Sequence, residues 1–158
     1  MTAKNPPRPA AKNPQYLEPD AASLLLSMIE ATQSALLDEV PVGAVVRDVH
    51  GRYLAQSGNR PVANMDPAGH AEMQAMRLAA NRVGNYRLVG AQLTVTLEPC
   101  AMCLETSRQA RFGKIVYGMT RTKTTTSTLP TRSMVEETTC SAEIIQMLKF
   151  FFESKRSI

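Results

Sequence analysis

The chain has 158 residues, 44% of them hydrophobic, and a net charge of +4, enough for one domain with a substantial core. No apolar run approaches the roughly 20 residues of a membrane span, and the opening Met1-Thr2-Ala3-Lys4-Asn5-Pro6 lacks the apolar stretch of a secretory signal, so a cytoplasmic protein with no membrane partner is expected. Three cysteines are too few for a disulfide scaffold, and the small positive excess favours a polyanionic partner only weakly.

Residues 1–19 hold five of the ten prolines and read as a flexible tail; residues 20–158 read as a single domain. From Asp20, a plausible N-cap, Leu24, Leu25, Met28, Ile29, Thr32 and Leu36 recur at helical spacing and predict a helix with that stripe inward. Val40 to Val46 is β-branched and predicts a buried strand. His50-Gly51 makes a hairpin turn, in which His50 is a turn residue, into a second strand near Arg52 to Gln56. Ser57 to Gly69 is a Gly-, Asn- and Pro-rich loop leading to His70.

A second helix is expected over Ala71 to Val83, with Met73, Met76, Ala80 and Val83 on its core side and Gly84 ending it. Gln92 to Leu97 alternates as a strand, and Pro99 suits the start of a third helix that places Cys100 and Cys103 one turn apart. Lys114 to Tyr117 is a short strand and Arg121 to Arg132 a threonine-rich loop. The closing helix, Ser141 to about Ser154, offers Ile144, Ile145, Leu148, Phe151 and Phe152 for burial, and Cys140 reads as a small buried residue. Strands alternating with helices predict an α/β fold with a mixed central sheet and the second and third helices on one face.

The chemistry concentrates in His70-Ala71-Glu72 and Pro99-Cys100-Ala101-Met102-Cys103. A lone Cys-x-x-Cys is more often half of a structural zinc site or a redox pair, but this chain has no second such pair. One imidazole and two thiolates, His70, Cys100 and Cys103, make three ligands for Zn²⁺ and leave the fourth position open, as in a catalytic site. Glu72 is then not needed as a ligand and can carry protons between water, a ring nitrogen and a departing amine. That combination is the signature of zinc nucleobase deaminases.

Val40-Pro41-Val42-Gly43-Ala44-Val45-Val46, Gly58-Asn59-Arg60-Pro61, Asp66-Pro67, His70-Ala71-Glu72, Asn85-Tyr86-Arg87-Leu88 and Thr94 to Cys103 together resemble the bacterial tRNA-specific adenosine deaminases of the cytidine deaminase-like superfamily. The similarity runs from about Asp20 to Gly118. It implies a three-layer α/β/α fold, a homodimer, and hydrolysis of the wobble adenosine of a tRNA anticodon to inosine with release of ammonia. It also implies that His70, Cys100 and Cys103 hold zinc, that Glu72 moves protons, that Asn59 binds the nucleoside, and that the Ala71 backbone N–H helps bind the base. An amide side chain such as Asn59 offers both a donor and an acceptor to a base edge, although Asn after Gly also suits a plain turn.

Two stretches depart from the family pattern. Small residues usually follow the second cysteine, where this chain has Leu104-Glu105-Thr106-Ser107-Arg108-Gln109, and Glu105 there needs a polar partner or solvent. In positions 119–128, Arg121 stands where the family has an acidic residue, and Arg121 and Lys123 are either phosphate contacts or solvated surface. These departures keep open the same zinc chemistry on a free base or nucleoside of the guanine, cytosine or cytidine type. A zinc-stabilised RNA-binding module without catalysis is a third reading, against which Glu72 argues.

Overall fold

The computed structural model describes residues 19–120, 135–137 and 141–156. The expected tail, together with Arg121, Lys123 and Cys140, lies outside the described residues. Along the chain run α1 (Pro19–Leu36), β1 (Gly43–Arg47), β2 (Tyr53–Gly58), α2 (Ala71–Val83), β3 (Gln92–Val95), α3 (Ala101–Gln109), β4 (Lys114–Tyr117), β5 (Val135–Glu137) and α4 (Ser141–Arg156). The strands form one sheet in the order β2-β1-β3-β4-β5. β1 is antiparallel to both neighbours, whereas β3, β4 and β5 are parallel, so the sheet is mixed as expected. Strand β5 is not anticipated by the sequence: three residues carry no alternation, and their pairing with β4 comes from tertiary context.

Alternating residues of β1 face opposite layers. Ala44 and Val46 join the main core with Ala71, Ala75, Met76 and Ala79 of α2 and Leu104 of α3. On the other side, a Cβ at Gly43 would lie 1.9 Å from the Ser27 carbonyl oxygen of α1, and one at Gly118 would meet both Leu24 of α1 and Ile144 of α4. The layers are therefore α1 with α4, then the sheet, then α2 with α3. This is the predicted three-layer α/β/α arrangement. Among the described residues, no helix is long and apolar enough to cross a membrane.

The close approach at Gly43 turns α1 part of the way round from its expected orientation: Leu24 is inward as expected, but most of the stripe is not. Its buried side consists of Ser23, Leu24, Ser27, Glu30, Ala31 and Ser34, whereas Leu25, Ile29 and Leu36 are exposed. Serine hydroxyls on that side return to the helix backbone, Ser27 to the Leu24 carbonyl and Ser34 to that of Glu30, so they enter the interior satisfied. In α2 the expected Met76 is buried and Met73 packs against the core, but the buried side is otherwise Ala71, Glu72, Ala75 and Ala79, and Val83 is half exposed. In α4, Ile144 and Phe151 are buried but Ile145 and Phe152 are not. Asp20 is not a cap either. It sits inside the first turn, and its carboxylate accepts hydrogen bonds from Gln92 Nε2 at 2.6 Å and Lys114 Nζ at 3.0 Å, tying α1 to β3 and β4.

Two stability predictions follow from these contacts. Gly43→Ala should cost about 3 kcal/mol in denaturant unfolding, because the obstructing atoms are backbone and cannot rotate away. For Asp20, burial favours the neutral acid, but the bonds from Gln92 and Lys114 outweigh it and hold the carboxyl below its ordinary value. The stabilisation is thus present above about pH 4 and lost as pH falls through the depressed folded value. Since both partners are more than a third exposed, solvent screening limits Asp20→Asn to about 0.5–1 kcal/mol at pH 7. The gap from wild type should close as pH falls through that depressed value.

Candidate active site

His70 and Cys100 occupy equivalent places in two helices. Each is the N-cap residue, with extended backbone (φ −64°, ψ 149° and φ −74°, ψ 169°), at the head of α2 and of α3. Pro99 therefore stands just before the N-cap rather than inside the helix, where its fixed φ aligns the extended approach. His70 makes no capping hydrogen bond of its own, which leaves its imidazole to reach across to α3. Cys103 is the third residue of α3 and is fully buried.

The three side chains converge. Cys100 Sγ lies 3.5 Å and Cys103 Sγ 3.6 Å from His70 Nδ1, and the two sulfurs are 3.6 Å apart. A tetrahedral zinc ion with Zn–S of about 2.3 Å and Zn–N of about 2.0–2.1 Å would separate sulfur from nitrogen by about 3.5–3.6 Å and the sulfurs by about 3.8 Å. The triangle of donors thus has the size of one face of a zinc tetrahedron, and the donor set suits that metal. These three are the group with metal-ligand geometry among the described residues.

The electrostatics favour thiolate here. The hydrogen bond from Cys103 holds Cys100 down at about 4 against the opposing effect of burial, and the Cys103 backbone N–H and His70 add to it. Helix N-terminal N–H groups stabilise a thiolate in the same way. Cys103 is pushed up instead, by the hydrogen bond it gives Cys100 and then by burial and the Glu72 carboxylate. Glu72 is 4% exposed, and burial raises its carboxyl above the ordinary value despite its hydrogen bonds and the nearby imidazole.

A cavity of about 180 Å³ opens beside the cluster, lined by Val40, Val42, Asn59, His70, Glu72, Leu97 and Glu98. Three of the residues singled out from sequence, Asn59, His70 and Glu72, therefore share one pocket. Cys100 and Cys103 join it through His70. Ala71 is fully buried in the first turn of α2 and is not among the lining residues; its N–H belongs to the helix-head donors that have no intrahelical acceptor. Val40, Val42, Leu97 and Glu98 were not anticipated as site residues, and the signal for them lay in their adjacency to β1 and to Pro99. Asn59 is positioned by its backbone N–H, which donates to the Val42 carbonyl at 2.9 Å.

The departure at positions 104–109 is absorbed locally. Leu104 and Ser107 face inward, while Glu105 accepts hydrogen bonds from Arg108 Nε (2.9 Å) and Nη2 (2.7 Å) and from Gln109 Nε2 (2.7 Å) in solvent. Those bonds, Arg108 first, hold Glu105 at about 2. The carboxylate never enters the core.

Residues 19–119 match the cytidine and deoxycytidylate deaminase zinc-binding region. The tRNA-specific adenosine deaminase of Agrobacterium fabrum is 44% identical over 93 residues, 59% of this chain and 60% of that protein. A protein solved in a study of A-to-I editing by tRNA:A34 deaminases at the wobble position is 34% identical with a TM-score of 0.72, covering 80% of this chain and 99% of that one. Guanine deaminase from Bacillus subtilis is 30% identical with a TM-score of 0.59, covering 63% of each chain. The chain spans 60% or less of the length of such curated relatives.

Removing one donor tests the ligand triangle. Cys100→Ala should weaken zinc binding by at least about 100-fold and lower the melting temperature. One tightly held zinc per chain in that variant, by elemental analysis, would exclude Cys100 as a ligand.

Proposed function

The chain belongs to the cytidine and deoxycytidylate deaminase zinc-binding family, and from that premise we propose that it hydrolyses the wobble adenosine of a tRNA anticodon to inosine with release of ammonia. The observation that carries the reading is the buried Glu72 carboxylate in the same pocket as a zinc-sized His70-Cys100-Cys103 triangle. Likeness to tRNA-specific adenosine deaminases at 44% identity supports the substrate class.

Zinc held by His70, Cys100 and Cys103 would supply an activated water at neutral pH. Glu72 accepts a proton from the attacking water and delivers protons to the adenine ring N1 and then to the 6-amino group. The C6–N bond breaks as ammonia leaves, and oxygen remains on C6. A carboxyl with a raised affinity for protons suits both halves of that exchange. The Asn59 amide orients the nucleoside, and the N–H at the head of α2 donated by Ala71 reads the base. Val40, Val42 and Leu97 exclude bulk water from its faces. The cavity lies below the range of pockets that enclose a drug-sized ligand, so a single base enters while the rest of the RNA stays outside. An anticodon-loop base is single-stranded and can be splayed out without breaking a duplex.

The reading includes the homodimer implied by the family resemblance and a reducing, cytoplasmic compartment, which two thiolate ligands require. A second reading keeps the zinc chemistry and replaces the RNA by a free base, favoured by the likeness to guanine deaminase.

Zinc-loaded protein should convert adenosine to inosine at the wobble position of an anticodon stem-loop, read by mass spectrometry. Glu72→Ala should retain stoichiometric zinc while losing about 10²- to 10⁴-fold in rate. Turnover of guanine or cytosine alone would transfer the assignment to the second reading. Loss of zinc in Glu72→Ala would remove that residue from its role.

A further inference from the structure

A second carboxylate is buried near the pocket without any part in the chemistry above. Glu39 is 2% exposed at the bend between α1 and β1. Its Oε1 accepts a hydrogen bond from the backbone N–H of Ala63 at 2.7 Å, across 24 residues of sequence. Burying a carboxylate is unfavourable unless it is well satisfied, and a short bond to a charged acceptor is among the stronger kinds.

The segment it holds is the loop 60–69. That loop is closed on itself: Arg60 N–H donates to the Gly69 carbonyl, Asp66 N–H to that of Pro61, and Gly69 N–H to that of Asp66. Its outer side is tied to α2 by the partly exposed pair Asp66–Arg77. Glu39 supplies a second, half-buried tie, to the bend between α1 and β1. The residues flanking the loop are Asn59 and His70, which both line the pocket; Val40, next to Glu39, and Val42, whose carbonyl accepts the Asn59 N–H, line it as well. One side chain thus joins the α1–β1 bend to the loop that runs between two pocket residues.

We infer that Glu39 is a positioning residue for the substrate: through Ala63 its carboxylate steadies the 60–69 loop that follows Asn59 and leads into His70. The inference rests on the deaminase reading for its kinetic consequence, but the brace itself does not. His70 is anchored separately, at the head of α2 and by the thiols, so loosening the loop weakens substrate binding more than the chemical step.

The test compares zinc-loaded full-length wild type, Glu39→Ala, Glu39→Gln and Ala63→Pro, the last removing the donor from the other end. In Glu39→Ala, amide exchange across 60–69 should speed up about tenfold while α2 stays protected, and KM for the wobble-adenosine stem-loop should rise about tenfold with kcat within about threefold. Glu39→Gln keeps an acceptor oxygen and should restore both to within about threefold of wild type. Ala63→Pro should reproduce the KM rise, which keeps the test open if Glu39→Ala does not fold. Unchanged loop exchange in Glu39→Ala, a loss confined to kcat, or a Gln variant as poor as the Ala variant would each overturn the inference. If wild type leaves the stem-loop untouched, the tRNA reading fails by itself; exchange and KM for guanine then decide the brace.

Discussion

Two helices beginning at one place above the sheet are the constraint on which the site depends. An α-helix presents unpaired N–H groups and a partial positive charge at its start. Here the heads of α2 and α3 bring those features together, with His70 and Cys100 as the two N-cap residues. A side chain at that position leaves along the extended backbone rather than over a preceding turn, so imidazole and thiol can meet over a gap that neither helix spans alone. Cys103 then completes the triangle from inside α3, and Glu72 is carried into the pocket from the first turn of α2. The sheet makes this possible because Ala44, Val46, Leu93 and Val95 give both helices a common apolar floor.

The opposite layer serves a different purpose. Small residues and serines on α1 let the helix lie on Gly43 and Gly58 closely enough that a single methyl group would collide with backbone or with Ser34. That contact fixes the bend 37–42, which supplies Val40 and Val42 to the pocket and Glu39 to the neighbouring loop. The pocket is built from both ends of a strand–turn connection whose geometry is set on the far face of the sheet.

Much of this could be read from the chain. The α2 boundaries, β4, the two-sided α/β arrangement and the convergence of His70, Cys100 and Cys103 all followed from spacing, capping and donor chemistry. What failed was the direction of faces. Of the large apolar residues at helical spacing in α1, Leu24 turns inward as expected but Leu25, Ile29 and Leu36 do not, because a helix seated on glycines buries chiefly what is small. Strand β5 was missed because its pairing is imposed by β4. Glu39 goes unread because a carboxylate in a sequence carries no mark of burial.

The register between β1 and β2 slips after Val46, so that Ala55 and Tyr53 find partners and Leu54 is passed over. Strand β2 is at the rim of the sheet, where a free carbonyl would invite a strand from another molecule. Arg82, from the last turn of α2, donates to the Leu54 carbonyl at 2.9 Å and lies against the Tyr53 ring. A bulge that bends the rim and a cation that occupies its free acceptor together guard this margin against the edge-to-edge stacking that begins aggregation.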